Sequence, residues 1–344
     1  MIERTAMKAF RIEAKHQAAF CALPEPKLKP EQVLLKPRIV GFCGSDLATY
    51  LGVNPLVTYP RIPGHEIAAE IVAVGSDVPE DWRAGMIVTL SPYSACGKCP
   101  ACRAGRTNCC QFNQTMGVQR DGALADLITA AWQRLFTSPR LAERELALVE
   151  PLTVGCHAAD RASITAYDTV AVLGCGAVGL GAVAAAAYRN AKVIAIDLDD
   201  GKLETARKAG AAHCINSCRA KVHDELSRLT DNEGPSVIIE AIGLPETFQL
   251  ATAEVSFAGR VVYIGYAKRE VEYETRQFVQ KELDIRGSRN ATDENFRQVI
   301  RLLESGRFPV SDVISRTVPF DECGDALSQW SEHRPTTTKV LIQF

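Results

Sequence analysis

The run TVAVLGCGAVG, from Thr169 to Gly179, limits what this chain can fold into more than any other stretch. A short apolar, β-rich segment at 169–173 meets Gly174-Cys175-Gly176-Ala177-Val178-Gly179, and an alanine-rich helical segment follows to about Asn190. The glycines have separate tasks. Gly174 permits a tight turn, Gly176 lets the backbone approach a pyrophosphate, and Gly179 allows close helix–strand packing. Ala177 and Val178 open the helix, whose free N–H groups and partial positive charge favour phosphate. A second apolar run, 192–196, ends in Asp197, 18 residues after Gly179. A βαβ unit places there the carboxylate that binds the adenosine ribose of a dinucleotide. A glycine triplet alone also ends ordinary strands. Here strand, turn, helix, strand and acid occur in order.

Asp197 argues for NAD, since a carboxylate repels a 2′-phosphate. The residues after it, Leu198-Asp199-Asp200-Gly201, supply no arginine, and Lys202 is the nearest cation in that direction, which disfavours NADP without excluding it.

A length of 344 residues suggests about two domains. Such a chain buries enough surface to need no disulfide staples. A net charge of −2 with 23% charged residues gives no basic field for nucleic acid. No apolar run approaches the ~20 residues of a membrane span, and the N-terminus lacks a signal-peptide core. Twelve cysteines in a large unsignalled chain point to metal ligands and buried thiols, with the cytoplasm as the expected compartment. Met7-Lys8-Ala9 reads as the working start, the first six residues being a loose extension.

Short strands punctuated by Pro and Gly are predicted at 6–12, 33–40, 66–74, 86–90 and 123–129, which suggests a small barrel. From about Val154 the pattern changes. Strands at 169–173, 192–196, 236–240, 260–264 and 283–287 alternate with helical stretches at about 177–189, 200–210, 219–230 and 246–254. That alternation predicts an α/β, doubly wound parallel sheet. Beyond Thr292 come a helix to about Ser305, a second at 320–332 and a closing strand at 338–344. The predicted organisation is 1–153 as a first domain, 154–291 as the dinucleotide-binding domain, and 292–344 returning to the first.

Two sets of residues carry metal chemistry. Cys96, Cys99, Cys102 and Cys110 form C-x2-C-x2-C-x7-C, a spacing that lets four thiolates converge on a tetrahedral zinc ion. Three cysteines at this spacing also open an iron–sulfur motif, but there the fourth follows after three residues, not seven. Cys109, beside Cys110, could take its place as a ligand. The second set is dispersed: Cys43-Gly44-Ser45-Asp46, Gly64-His65-Glu66 and Glu150-Pro151. One thiolate, one imidazole and one or two carboxylates are the ingredients of a catalytic zinc site with an open position, where an alcohol is polarised.

Taken together, GFCGSD (41–46), YPRIPGHE (59–66), CGKCPACRAGRTNCC (96–110), VEPLTVGCHA (149–158), GCGAVG (174–179) and KVLIQF (339–344) resemble the zinc-dependent medium-chain alcohol dehydrogenases, in the polyol (sorbitol-type) and sugar-acid branch. The resemblance implies a GroES-like β-barrel catalytic domain, built from both chain ends, next to a Rossmann domain. It implies two zinc ions and NAD. Cys43, His65 and Glu66 would ligate the catalytic zinc, and Glu150 would stand as a fourth carboxylate, direct or through water. Ser45 would take the alcohol proton, Asp197 and Lys202 would hold the ribose, and Arg289 in RGSRNAT (286–292) would reach the substrate pocket. ACRAGRTNCC and GSRNAT look most like hexonate dehydrogenases of the L-galactonate type, with galactitol-, sorbitol- and threonine-type enzymes close behind. One departure is Ala48, where the branch often has histidine as the proton exit. Expected partners are a polyol or sugar-acid substrate and further copies of the chain, in a dimer or tetramer.

Two other classes compete. A silent dinucleotide sensor has no need of Cys43, His65, Glu66 and Glu150. A zinc-ribbon nucleic-acid binder would need more than Lys98, Arg103 and Arg106 in a slightly acidic chain. Cys175, in the phosphate turn, is either a reactive thiol at a helix N-terminus or a small turn residue.

Overall fold

Strands open the chain: β1 (Ala6–Ala14), β2 (Gln17–Pro24), β3 (Gln32–Phe42), β4 (Glu66–Val74), β5 (Ile87–Leu90), β6 (Ile128–Ala131) and β7 (Leu135–Phe136). Short helices α1 (Gly44–Tyr50), α2 (Pro100–Arg103) and α3 (Glu143–Ala147) interrupt them, and α4 (Val149–Arg161) follows. An alternating region runs β8 (Thr169–Leu173), α5 (Ala177–Tyr188), β9 (Lys192–Asp197), α6 (Asp200–Lys208), β10 (His213–Asn216), α7 (Val222–Leu229), β11 (Val237–Glu240), α8 (Pro245–Glu254), β12 (Arg260–Tyr263), α9 (Arg276–Gln280) and β13 (Asp284–Gly287). The chain closes with α10 (Asp293–Glu304), α11 (Val310–Val313), β14 (Ile314–Pro319), α12 (Cys323–Glu332) and β15 (Lys339–Gln343). This computed structural model describes residues 6–333 and 336–344, so residues 1–5 of the expected N-terminal extension lie outside it.

Two compact units result: residues up to Glu150 together with Ile314–Phe344, and Pro151–Val313. In the first, β14-β15-β3-β4-β5-β7 form a sheet with β6 also on β3, while β1 and β2 form a separate antiparallel pair. Phe10, Leu35, Phe42, Ile67, Ile71 and Leu90 are buried in its core. The strand expected at 123–129 is shorter and later, at 128–131. Residues 123–126 instead make single contacts, such as Ala123 N to Gly64 O (2.9 Å) and Asp126 N to Lys8 O (2.9 Å), too scattered for a ladder.

The second unit holds the parallel sheet, ordered β10-β9-β8-β11-β12-β13. Its central strands β8, β9 and β11 read as near-continuous apolar runs and are buried along almost their whole length, as parallel strands inside a sheet are. The order reverses between β8 and β11, which is where doubly wound sheets bind ligands. Here β10, absent from the sequence reading, pairs with β9 from His213 to Asn216. Four half-polar residues carry too little periodicity to announce a strand. α10 belongs to this unit, and the chain returns to the first only after Val313, not at residue 292. The reason is its apolar face: Phe296, Val299, Ile300 and Leu303 are buried, and α10 packs against α5.

Among the described residues no helix is long and apolar enough to cross a membrane. The unit boundary is testable. Phe296 is fully buried, so Phe296→Ala should destabilise by about 3–5 kcal/mol. Hydrogen exchange should quicken in β8 and α5 while the β3–β4 amides keep their protection; the reverse pattern would put α10 in the other unit.

Candidate active site and metal centres

Three neighbouring strands and one helix build the dispersed cluster. β3 pairs with β4 so that Gly41 faces Glu66, and with β15 so that Phe42 faces Val340. A Cβ on Gly41 would stand 2.3 Å from Glu66 Oε2, so only glycine leaves room for this carboxylate. Directly after β3, Cys43 caps α1, and Asp46 in the first turn accepts from Cys43 N (2.9 Å). The other Asp46 oxygen accepts from Gly64 N (3.2 Å) and lies 3.9 Å from His65 Nδ1. One buried carboxylate therefore fixes the backbone on both sides of the cluster.

The structure brings ligand atoms of Cys43, His65 and Glu66 within 4.8 Å of one another. Glu150, at the start of α4, is not in that trio but is also buried, and its Oε1 accepts a short hydrogen bond from the Tyr93 hydroxyl. Burial and the Glu150 charge hold the Tyr93 hydroxyl well above its ordinary range, so it stays a donor. Glu66 has a cation of its own. Lys339, buried on β15, donates to Glu66 Oε1 (2.6 Å), to Oε2, and to Phe42 O (3.0 Å).

Burial works against a charged His65, yet Cys43, Asp46 and Glu150 outweigh it and raise the affinity of the ring for a proton. Burial pushes Glu66 up to about 7, against the pull of Lys339. Asp46, Glu66, Glu150 and the Cys43 thiol thus gather around one lysine and one imidazole, and a divalent cation on these donors can take the place of the protons they hold. Nitrogen, sulfur and oxygen donors in this number fit zinc with an open position. Ser45 Oγ is buried without a hydrogen-bond partner among the described residues, ready for a ligand hydroxyl.

The contiguous set converges too: the ligand sulfurs of Cys96, Cys99, Cys102 and Cys110 lie within 4.8 Å of one another. Cys99 and Cys110 sulfurs are 4.0 Å apart, near the ~3.8 Å expected for two thiolates on one tetrahedral zinc. Backbone N–H groups support the sulfurs: Lys98 and Cys99 donate to Cys96 (3.4 and 3.3 Å), and Cys96 and Phe112 donate to Cys110 (both 3.3 Å). Bonds of this kind from Gln111 and Cys102 lower the Cys99 thiol to about 6. Cys109 faces away, 3.6 Å from Arg106 Nη2, so Cys110 is the fourth member.

In the second unit the glycine turn follows β8. Gly174 has φ +93°, and Gly176 caps α5 with open space where a Cβ would be. At Gly179 a Cβ would come within 1.8 Å of Gly174 O, so helix and turn touch backbone to backbone. The open cradle at Gly176, beside the first residues of α5, Ala177 and Val178, fits a pyrophosphate. Asp197 ends β9 and accepts from Cys175 N (2.7 Å), Leu198 N (2.8 Å) and Asp199 N (3.0 Å), which fixes its carboxylate. Lys202 lies in the first turn of α6, its N–H donating to Asp199 Oδ1 (2.9 Å). Cys175 is fully buried, which fits a small turn residue rather than a reactive thiol, and burial pushes its thiol well up. Arg289 is half-buried in the loop between β13 and Thr292, the N-cap of α10.

Sequence reasoning missed Lys339 and Tyr93, and it placed Asp46 in the dispersed set without giving it a task. Lys339 had a signal, being a lone charge opening the apolar run KVLIQF; nothing in the sequence marks Tyr93.

With the geometry in place, the chain can be compared with known proteins. A family signature described as "Alcohol dehydrogenase GroES-like domain" matches residues 29–140, and one described as "Zinc-binding dehydrogenase" matches 177–305. The sorbitol dehydrogenase of Bacillus subtilis (strain 168) is 34% identical, covering 98% of this chain and 97% of that protein. The L-galactonate-5-dehydrogenase of Escherichia coli (strain K12) is 32% identical over 91% and 92%. Among solved structures, a short chain alcohol dehydrogenase from E. coli CFT073 complexed with the cofactor NADH matches with a TM-score of 0.91 at 29% identity, covering 99% of this chain and 100% of that one.

The cysteine geometry makes a sharp prediction. Cys110→Ser should lower the bound zinc by about one ion per chain, and Cys109→Ser should leave it unchanged. Elemental analysis of the purified variants reads this directly. Equal losses in both, or iron with labile sulfide in the parent, would contradict the assignment.

Proposed function

The chain belongs to the zinc-type medium-chain alcohol dehydrogenases, and on that premise we propose that it oxidises a secondary alcohol of a polyol or sugar acid, with NAD as hydride acceptor. The observation that carries this reading is the convergence of Cys43, His65 and Glu66 near-buried in one unit, with Ser45 Oγ lacking a partner on the adjacent helix.

When bound, zinc on this trio polarises an alcohol oxygen, and the nicotinamide accepts hydride. The protein's own contribution is positional. Asp46 fixes the Cys43 and Gly64 backbones and faces His65, so thiolate and imidazole are aimed before any ligand arrives. Lys339 and the gap at Gly41 fix Glu66, the one member of the trio already claimed by a cation. Tyr93 fixes Glu150. Ser45 Oγ accepts the substrate hydroxyl proton, and with Ala48 on the same helix offering no titratable group, water completes the exit. In the second unit, the Gly176 cradle takes the pyrophosphate, and Asp197 with Lys202 takes the ribose hydroxyls. Asp197 favours NAD over NADP. We place the reaction in the cytoplasm, where thiolate ligands stay reduced, and in a homo-oligomer, a dimer or tetramer.

A sugar-acid substrate brings a carboxylate, and Arg289 is assigned to it because guanidinium binds carboxylate through two parallel bonds that lysine does not reproduce. Initial rates with NAD across sugar acids, alditols and threonine test the substrate class. Arg289→Lys should lower kcat/KM for sugar acids about tenfold or more while alditols change about twofold or less. Equal losses on both would assign Arg289 to the pocket wall, and preference for threonine would overturn the polyol reading.

A further inference from the structure

Asp197 is surrounded by a second charge arrangement that the segment following it in sequence does not reveal. In the parallel pair of β9 and β10, Asp197 stands opposite Asn216. Ser217, next along, keeps the chain against β9: its N–H donates to Asp197 O (2.9 Å), and its hydroxyl lies 3.4 Å from the same oxygen. Arg219 is two residues further, its N–H turned back onto Asn216 O (3.0 Å). Asp200 is three residues beyond Asp197 on the other strand and opens α6. The two carboxyl ends meet there. Asp200 Oδ1 accepts from Asn216 Nδ2 (2.6 Å), and Asp200 Oδ2 is ion-paired with Arg219 Nη2. An arginine therefore does stand beside the ribose-binding position, contributed by the neighbouring strand and neutralised in place.

We infer that Asp200 is a second determinant of dinucleotide choice: by engaging Arg219, it withholds the guanidinium that would otherwise receive a 2′-phosphate beside Asp197. The inference rests on the reading of Asp197 as the ribose ligand. Three features support it. Guanidinium pairs with phosphate through two parallel bonds, so a released Arg219 has the right chemistry. Its ion pair with Asp200 lies at the surface, with side chains 72% and 53% exposed, so once Asp200 is removed the guanidinium stands where a dinucleotide phosphate can reach it. The position of Asp200 is also reinforced, since an acid in the first turn of a helix is favoured by the N-terminal partial charge and Asn216 holds its second oxygen. In the parent chain, Asp197 repels a 2′-phosphate and Asp200 engages the guanidinium that the neighbouring strand brings beside it.

The test is the dissociation constant of NADH and of NADPH, read from nicotinamide fluorescence on binding, for the parent and for Asp197→Ala, Asp197→Ala/Asp200→Asn and the same double variant with Arg219→Ala. Asp197→Ala should narrow the gap between the two dinucleotides. Adding Asp200→Asn should tighten NADPH a further three- to fivefold, up to about 1 kcal/mol, with NADH within twofold. Adding Arg219→Ala should remove that gain, and the gain should shrink at high salt. If it survives without Arg219, only the loss of a nearby negative charge mattered and the inference is overturned; absence of any gain overturns it equally. An unchanged ratio in Asp197→Ala would instead overturn the ribose assignment, and the inference with it. Circular dichroism of each variant confirms that the fold is retained.

Discussion

A buried lysine facing a buried carboxylate sets the terms for the first unit. Taking either charge out of water alone is costly, and breaking such a pair leaves the other stranded. Lys339 comes from the last strand and Glu66 from the fourth, 273 residues apart in sequence. β15 returns beside β3, on which Gly41, facing Glu66, leaves the carboxylate the room a side chain would fill. The same pairing leaves the ligand atoms of Cys43, His65 and Glu66 within 4.8 Å of one another, with the Glu150 carboxylate also buried. Those donors share a place where a divalent cation can stand in for protons.

The second unit rests on a different constraint, the close approach of backbones. Gly179 touches the Gly174 carbonyl, and α4 meets α5 in the same manner. A Cβ on Gly155 would stand 2.2 Å from Val178 O, and one on Gly181 would stand 2.6 Å from Leu152 O. Glycines keep α4, α5 and the turn in direct contact, and the Asp197 carboxylate, accepting from Cys175 N, holds the turn beside Gly176. Helix α4 runs from Val149 through this contact to Arg161.

What the sequence disclosed follows from how local each signal is. The turn at 174–179 and the cysteines at 96–110 are contiguous, and their spacing alone states their geometry. Asp197 could be placed because one βαβ unit has a nearly fixed length. Helix α4 escaped because Pro151 and Gly155 read as breakers, whereas Pro151 sits in the first turn, where a missing N–H costs nothing, and Gly155 is a packing contact. β10 escaped because HCIN is short and half-polar, and with it went the view of Arg219 beside Asp197. The partners of Glu66 and Glu150 lie on distant strands and loops, and no periodicity links residue 66 to 339 or 93 to 150.

The proposed chemistry needs two metal centres of different composition in one chain, one of four thiolates and one of a thiolate, an imidazole and a carboxylate. Zinc K-edge X-ray absorption on the fully loaded protein distinguishes them, because nitrogen and oxygen neighbours lie ~0.1–0.3 Å closer to zinc than sulfur. Two such centres give about 2.5 sulfur neighbours per zinc at ~2.3 Å, with the rest of the shell at ~2.0–2.2 Å. An all-sulfur shell would contradict the two-centre reading, leaving Cys43, His65 and Glu66 as a buried cluster beside Lys339.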